Sequence, residues 1–162
     1  MRGADGDRFD FKGEHGGIYI LLSTQHLSLA GRFFHSAFKS PFSKLKVRGS
    51  FIRAAYWTVR TGRSKLVKVA FSAGGVPTMQ REDGALRPIF NRSSSVQVKV
   101  IDDIRLIFEP PHGPLKGTLA VITPKWRTRV LATKGAPHWG QLRMDVQTQP
   151  LFDVASDTVA PQ

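Results

Sequence analysis

The sequence contains no cysteine, and this absence excludes disulfide bonds, thiolate zinc sites and cysteine nucleophiles. It contains no run of about 18 apolar residues, the length that a membrane-spanning helix needs. The first ten residues, MRGADGDRFD, show no apolar segment of the kind found in secretory signal peptides. The chain has 162 residues, of which 41% are hydrophobic, and these are enough for one folded domain with one substantial core.

Acidic residues are absent from a long part of the chain. No Asp or Glu lies between Glu14 and Glu82, whereas the 67 residues from His15 to Arg81 include eleven Lys and Arg residues. This segment accounts for most of the net charge of +12. An excess of one sign favours an anionic partner, such as a polysaccharide, a nucleic acid, a membrane surface or an acidic protein. The alternative is a solvated face of a domain whose acids lie elsewhere.

Apolar residues recur with a period of two, which is typical of half-buried antiparallel strands. Turn signals rich in Gly, Pro and Asp separate these segments about every 8–12 residues, and no segment shows a helical repeat. We therefore predict an all-β fold, an antiparallel β-sandwich of about ten short strands, in a single domain over residues 1–162. The predicted strands are 8–11, 18–23, 27–33, 45–51, 54–60, 65–71, 96–101, 104–108, 118–122, 126–132 and 142–148.

Two connections between the predicted strands have distinct sequences. Residues 74–88 form the least regular stretch and are predicted to be a long loop. Asp102 and Asp103 separate two strands and are predicted to form a tight turn. They are not predicted to act as an acid and base pair, because adjacent strand residues point to opposite faces.

Motifs for catalysis are missing from the sequence. The five histidines lack the spacing of zinc sites, and no nucleophile elbow, phosphate-binding loop or kinase motif is present. We therefore predict a protein that is not an enzyme. No cofactor is predicted from these motifs, and calcium is the one ion that the prediction leaves open.

The aromatic residues Tyr56 and Trp57 lie among basic residues in the predicted strand 54–60. Exposed aromatic rings beside positive charges would suit stacking on bases or on sugar rings. Alternation along a strand allows another arrangement, in which one ring faces the core and the other faces the surface.

The first residues resemble the start of a von Willebrand factor type D domain. That family begins with a D-G turn, an aromatic-x-aromatic pair, a G-E turn and a strand of aromatic and aliphatic residues. The segment A-D-G-D-R-F-D-F-K-G-E supplies Asp5-Gly6, Phe9, Phe11 and Gly13-Glu14, and I-Y-I-L-L follows from residue 18.

Later segments extend this resemblance over most of the chain. L-S-L-A-G-R-F-F-H-S, residues 27–36, is similar to the next strand of the family. The segment from Trp126 to Pro161, with L-R-M-D-V at 142–146 and F-D-V at 152–154, is similar to cysteine-poor relatives in plant root-cap-type and protist proteins. The resemblance implies a non-catalytic β-sandwich module of a cell-surface or extracellular protein, with a role in assembly, adhesion or ligand contact.

The sequence departs from the family at two points. His15-Gly16-Gly17 replaces the cysteine that follows the G-E turn, so the stabilising disulfide is lost. The relatives also continue past the position of Gln162, so the resemblance implies a domain truncated at both ends. It implies one calcium ligand, Asp5, and a calcium site that is complete only with residues beyond Gln162.

The acid-free segment supplies the candidate ligand-binding residues. If Val47 and Phe51 face the core, then Lys46, Arg48 and Ser50 share the outer face. We expect a basic face that binds an anionic glycan or an acidic protein, and the alternative is a basic β module that binds nucleic acid. The residues assigned to this face are Arg32, Lys44, Lys46, Arg48, Arg53 and Arg60.

Overall fold

The computed structural model describes residues 14–39, 46–82, 84–134 and 142–151, and it describes side chains for all of these except 36–39 and 46–48. This part of the chain is all-β, as predicted, and forms two antiparallel sheets. The strands are β1 (Ile18–Ser23), β2 (Leu27–Lys39), β3 (Lys46–Arg60), β4 (Leu66–Ser72), β5 (Thr78–Arg81), β6 (Arg87–Pro88), β7 (Gln97–Ile101), β8 (Ile104–Glu109), β9 (Leu115–Ile122), β10 (Trp126–Lys134) and β11 (Leu142–Pro150).

Each sheet is a meander in which strands that follow each other in sequence are hydrogen-bonded neighbours. The six-stranded sheet has the order β1-β2-β3-β4-β5-β6, and the five-stranded sheet has the order β11-β10-β9-β8-β7. Short turns make this topology accessible, because antiparallel neighbours need only a few connecting residues. The predicted turn at Asp102 and Asp103 is confirmed: Ile101 pairs with Ile104, and Asp102 has a φ of 51°.

The two sheets share one hydrophobic core. Trp57 of β3 is 1% exposed, and its Nε1 donates a hydrogen bond to Thr128 Oγ1 of β10 at 2.9 Å. Phe71 of β4 and Phe108 of β8 meet edge to face with ring centroids 6.1 Å apart. Gly117 of β9 has a φ of 108°, and a Cβ there would lie 3.2 Å from Phe71, so glycine lets the backbone approach this aromatic pair. The core therefore joins the sheets into a sandwich.

The strands β2 and β3 are longer than predicted. β2 has 13 residues and β3 has 15, so the predicted strands 45–51 and 54–60 are parts of one strand. A register shift separates the two parts: Arg32 pairs with Ala54 and Phe33 pairs with Ile52, so Arg53 is an extra, bulged residue. A bulge reverses the inward and outward alternation, and the sequence pattern consequently appears as two strands.

The prediction that residues 74–88 form a long loop is wrong. They contain β5 and β6, and Met79 of β5 pairs with Val69 and is 7% exposed. β5 has four residues and β6 has two, too few for a clear alternation, and β5 follows Pro77 while β6 contains Pro88. The predicted strand at residues 8–11 lies outside the described residues.

The alternation along β7 is present, but the valines face outward. Val98 is 58% exposed and Val100 is 64% exposed, whereas Gln97 and Lys99 are half-buried. The pair of Ile101 and Ile104 at the turn is buried, and it sets the register of the whole strand. Because side chains alternate, a buried Ile101 places Val100 on the opposite face of the sheet.

Candidate anion-binding face

The acid-free part of the sequence coincides with one sheet. None of the strands β1 to β6 contains Asp or Glu, whereas the five-stranded sheet contains Glu109 and Asp145. The cations in the six-stranded sheet are Arg32, Lys39, Lys46, Arg48, Arg53, Arg60, Lys68, Arg81 and Arg87. The sheet itself therefore offers these cations no carboxylate.

The bulge in β3 places two arginines beside each other on the outer face of this sheet. Arg32 of β2 pairs with Ala54, and Arg53 is the extra residue next to that pair. The guanidinium carbon of Arg53 lies 5.5 Å from the ring centroid of Phe34, which belongs to the same outer face as Arg32. A sheet without this bulge would direct Arg53 toward the core side.

Both arginines lie over aromatic rings. The guanidinium carbon of Arg32 is 5.8 Å from the ring centroid of Tyr56, its diagonal neighbour across the β2 and β3 pair. This distance is within the range of cation–π attraction, which is about 0.5–1 kcal/mol at exposed sites. We call the set Arg32, Phe34, Arg53 and Tyr56 the arginine–aromatic face.

The floor of the arginine–aromatic face consists of small residues. Ala30 and Ala54 lie on the outer side of the sheet, yet they are only 8% and 6% exposed. Long side chains commonly lie along apolar surface and keep their charged ends in water. Arg32 and Arg53 are half-buried, in agreement with this arrangement, and their charges are held close to the sheet.

One atom of the Arg32 guanidinium group is shielded from solvent. Among the described residues, the buried Nε of Arg32 makes no hydrogen bond. A buried donor without an acceptor carries a desolvation cost of about 1–3 kcal/mol. Because this Nε is shielded from solvent, a negatively charged ligand would meet the outer edge of the guanidinium group, where it would accept charge-assisted hydrogen bonds.

The six residues predicted to form the basic face do not form one cluster. Arg32 and Arg53 lie together, whereas Arg60 lies at the far end of β3, seven residues or about 23 Å from Arg53. Lys44 lies outside the described residues. Lys46 and Arg48 belong to β3, but their side chains are not among those described.

The assumption that Phe51 faces the core is wrong. Ile52 is the buried residue, at 7% exposure, and Phe51 pairs with Phe34 on the outer side. Ser50 is on the same side of β3 as Ile52, so Ser50 is not on the outer face. The bulge at Arg53 is the cause, because it reverses the alternation that holds from Ala54 onward.

Of the two arrangements considered for Tyr56 and Trp57, the structure has the one in which Trp57 faces the core and Tyr56 faces the surface, so Trp57 is not an exposed stacking residue. Its ring is in the core and its indole nitrogen is bonded to Thr128. Tyr56 is half-buried on the outer face, where Arg32 covers part of its ring. Phe34 was missed by the sequence reasoning, although Phe33 and Phe34 are adjacent, and adjacent strand residues face opposite sides.

The proposed calcium ligand Asp5 lies outside the described residues. Within the described ranges, no group of three or more His, Asp or Glu side chains is placed to hold a metal ion. The same ranges contain no helix with the length and apolar character needed to cross a membrane.

Comparison with known proteins assigns no family. No family model, no curated protein and no solved structure matches this chain. The resemblance to von Willebrand factor type D domains therefore stays a prediction, and function has to be argued from the arginine–aromatic face.

Proposed function

We propose that this protein is a non-catalytic β-sandwich module that binds an anionic glycan on the outer face of its six-stranded sheet. The observation that carries the proposal is the arginine–aromatic face on a sheet without acidic residues. Arg32 and Arg53 supply the charge, and the rings of Tyr56 and Phe34 keep the guanidinium groups close to the sheet.

A flat, charged face suits an extended polyanion better than a small ligand. The alanines of the floor are covered by their neighbours, so the described part of this face presents the edges of guanidinium groups along a surface. Sulfate and carboxylate groups of a glycan accept hydrogen bonds from such edges, often in bidentate geometry. Lys68 of β4 pairs with Thr58 on the same side and would extend the positive surface.

Nucleic acid is the alternative ligand, and the arrangement of the aromatics favours it less. Stacking of bases needs an accessible ring face. Trp57 is in the core, and the rings of Tyr56 and Phe34 are each approached by an arginine. Contacts with the charged backbone alone would give binding without preference among bases.

The cellular setting in this proposal comes from the resemblance. A von Willebrand factor type D-like module would be part of an extracellular or cell-surface protein, where anionic glycans are abundant partners. An acidic protein could meet the same arginines through its carboxylates, and it belongs to the same proposal of an anionic partner.

A salt series on matched variants tests the proposal. Affinity for a sulfated glycan and for single-stranded DNA of similar charge is measured by titration calorimetry from about 50 mM to about 300 mM salt. We expect Arg32→Ala with Arg53→Ala to weaken glycan binding at least about 10-fold and to reduce the slope of log affinity against log salt by about 1–2.

The matched control removes the same charge from the other sheet. Arg105→Ala with Arg127→Ala takes two exposed arginines from the outer face of the five-stranded sheet. Equal losses in the two double variants contradict a specific face and indicate attraction by net charge alone. Tighter binding of DNA than of glycan, with a dependence on base identity, supports the nucleic-acid alternative instead.

A further inference from the structure

The strand β7 is an exposed edge that presents apolar side chains to solvent. It pairs only with β8 among the described strands. Val98 and Val100 are exposed on its outer face, and Val96, directly before it, is 58% exposed. Ile107, the partner of Val98 on β8, lies half-buried beside them. An edge of this kind readily pairs with another strand.

The other edges of the two sheets are protected in ways that β7 is not. β1 has a register shift between Ile20 and Leu22, β6 contains Pro88, and β11 contacts β3. Irregular strands, proline and coverage are the usual means of preventing pairing between edges. β7 has regular register over all five residues and contains no proline.

The sequence around β7 is self-complementary in one register. With a two-fold axis at Val98, an antiparallel second β7 places Val98 opposite Val98 and Val96 opposite Val100. Gln97 then lies opposite Lys99, so no like charges meet. An axis at Lys99 would oppose two lysines, and an axis at Gln97 would leave Val100 opposite Ser94.

The charges on β8 agree with the register centred on Val98. Arg105 pairs with Val100, and the same register continued by one residue places Glu109 beside Val96. In the pair of copies, four residues therefore line up across the joined sheets in each row that joins Val96 to Val100. The row runs from Glu109 and Val96 of one copy to Val100 and Arg105 of the other, so opposite charges stand at its two ends. The central row joins Ile107, Val98, Val98 and Ile107 and is entirely apolar.

From this arrangement we propose that two copies of the chain associate through antiparallel pairing of their β7 strands with Val98 at the two-fold axis. The two five-stranded sheets become one ten-stranded sheet, and the exposed valines form an apolar stripe across the junction. The arginine–aromatic face is on the other sheet of each copy and stays accessible, so this inference is independent of the proposed glycan binding.

Sedimentation equilibrium from about 1 μM to about 1 mM tests the association, with about 0.3 M salt to screen the positive net charge. We expect the 18.0 kDa chain to form a species of twice that mass at the higher concentrations. Val98→Lys should weaken association at least about 100-fold, because two lysines would face each other across the axis. Val98 is 58% exposed, so the substitution leaves the fold intact, which circular dichroism verifies.

Ile20→Lys is the matched control, because Ile20 is an aliphatic residue on an edge strand of the other sheet and is 64% exposed. It should associate like the original chain. A chain that stays monomeric over the whole range overturns the proposal and leaves β7 free for a strand of a different protein. Equal weakening by Val98→Lys and Ile20→Lys also overturns it.

Single cysteines test the register, since the chain has no cysteine of its own. Paired residues in antiparallel strands have Cα atoms about 4.5–5.5 Å apart, within the range for a disulfide. Oxidised Val98→Cys should therefore cross-link to itself. Val100→Cys should not, because its two copies lie about 13 Å apart, but a mixture of Val96→Cys and Val100→Cys should cross-link. Self-linking of Val100→Cys would contradict this register.

Discussion

At the scale of single residues, Thr128 connects parts of both sheets. Its Oγ1 accepts the hydrogen bond from Trp57 Nε1 and donates one to the carbonyl of Val121 at 2.9 Å. Thr128 is 0% exposed, so water cannot replace either bond. A tryptophan buried in a sandwich core needs a hydrogen-bond acceptor for its single N–H donor. Threonine supplies that acceptor with a small side chain.

We expect Thr128→Val to lower the free energy of unfolding by about 1–3 kcal/mol, because the indole N–H of Trp57 loses its acceptor in the core. Urea denaturation followed by tryptophan fluorescence measures the loss. Thr118→Val is the matched control: Thr118 is 4% exposed, and its Oγ1 makes no hydrogen bond with any described residue. That substitution should be neutral or stabilising. A Thr128→Val protein as stable as the original would show that the Trp57 bond contributes nothing.

At the scale of the strands, the sequence predicts the fold class because alternation is a local property of each strand. The pattern of Leu27, Leu29 and Phe33 predicts the buried side of β2, and all three residues are buried. The pattern cannot reveal a bulge, since the extra residue is defined by pairing with a partner strand. The pattern consequently puts Phe51 on the wrong side, whereas Arg32 and Arg53 are correctly assigned to the basic face from their charge.

The valines of β7 show a second limit of the same kind. Their alternation predicts a strand, but it does not say which face of the strand is buried. Ile101 and Ile104 decide the register through their burial at the turn, and that decision depends on the position of the opposite sheet. The exposed apolar edge therefore could not be predicted from the sequence.

Two hairpin turns join the sheets at one end of the sandwich. In the turn between β3 and β4, the Gly62 N–H donates a hydrogen bond of 2.8 Å to Asp103 Oδ1. Asp103 lies in the turn between β7 and β8. Arg63 and Asp102 add an ion pair at 3.9 Å, with Arg63 largely exposed, and such pairs contribute little. A Cβ at position 62 would lie 2.8 Å from Asp103 Oδ2, so a larger residue there would displace the carboxylate that accepts this hydrogen bond.

We expect Asp103→Ala to destabilise the protein by about 0.5–1.5 kcal/mol through loss of the hydrogen bond from Gly62. Asp103→Asn keeps an acceptor oxygen and should cost less. Gly62→Ala should destabilise the original chain more than it destabilises the Asp103→Ala variant. In the original chain the new methyl group displaces the Asp103 carboxylate, and in the variant that carboxylate is absent. Thermal denaturation of the four proteins in this double-mutant cycle measures the coupling. Additive effects of Gly62→Ala and Asp103→Ala would show that the turns act independently.

At the scale of the whole molecule, charge and hydrophobic burial are distributed differently. Most cations of the acid-free segment lie on strands of one sheet, whereas the core draws on both sheets, with Trp57 and Phe71 from one and Phe108 and Val130 from the other. Neither sheet can bury its inner face alone, because each depends on the other for cover. The glycan binding proposed for the outer face of one sheet would therefore leave the shared core undisturbed.

The shared core predicts that both sheets unfold in one cooperative transition. Fluorine NMR of the fluorotryptophan-labelled chain follows the sheets separately, with Trp57 reporting on β3 and Trp126 on β10 once Trp→Phe variants assign the signals. We expect equal urea midpoints for the two signals.

Val130→Ala, at a fully buried position of β10, should shift both midpoints together, with a loss of about 1–3 kcal/mol from the cavity that it leaves. The exposed Lys134→Ala, on the same strand, should shift neither. A transition in which Trp126 responds to Val130→Ala and Trp57 does not would show two independently stable sheets.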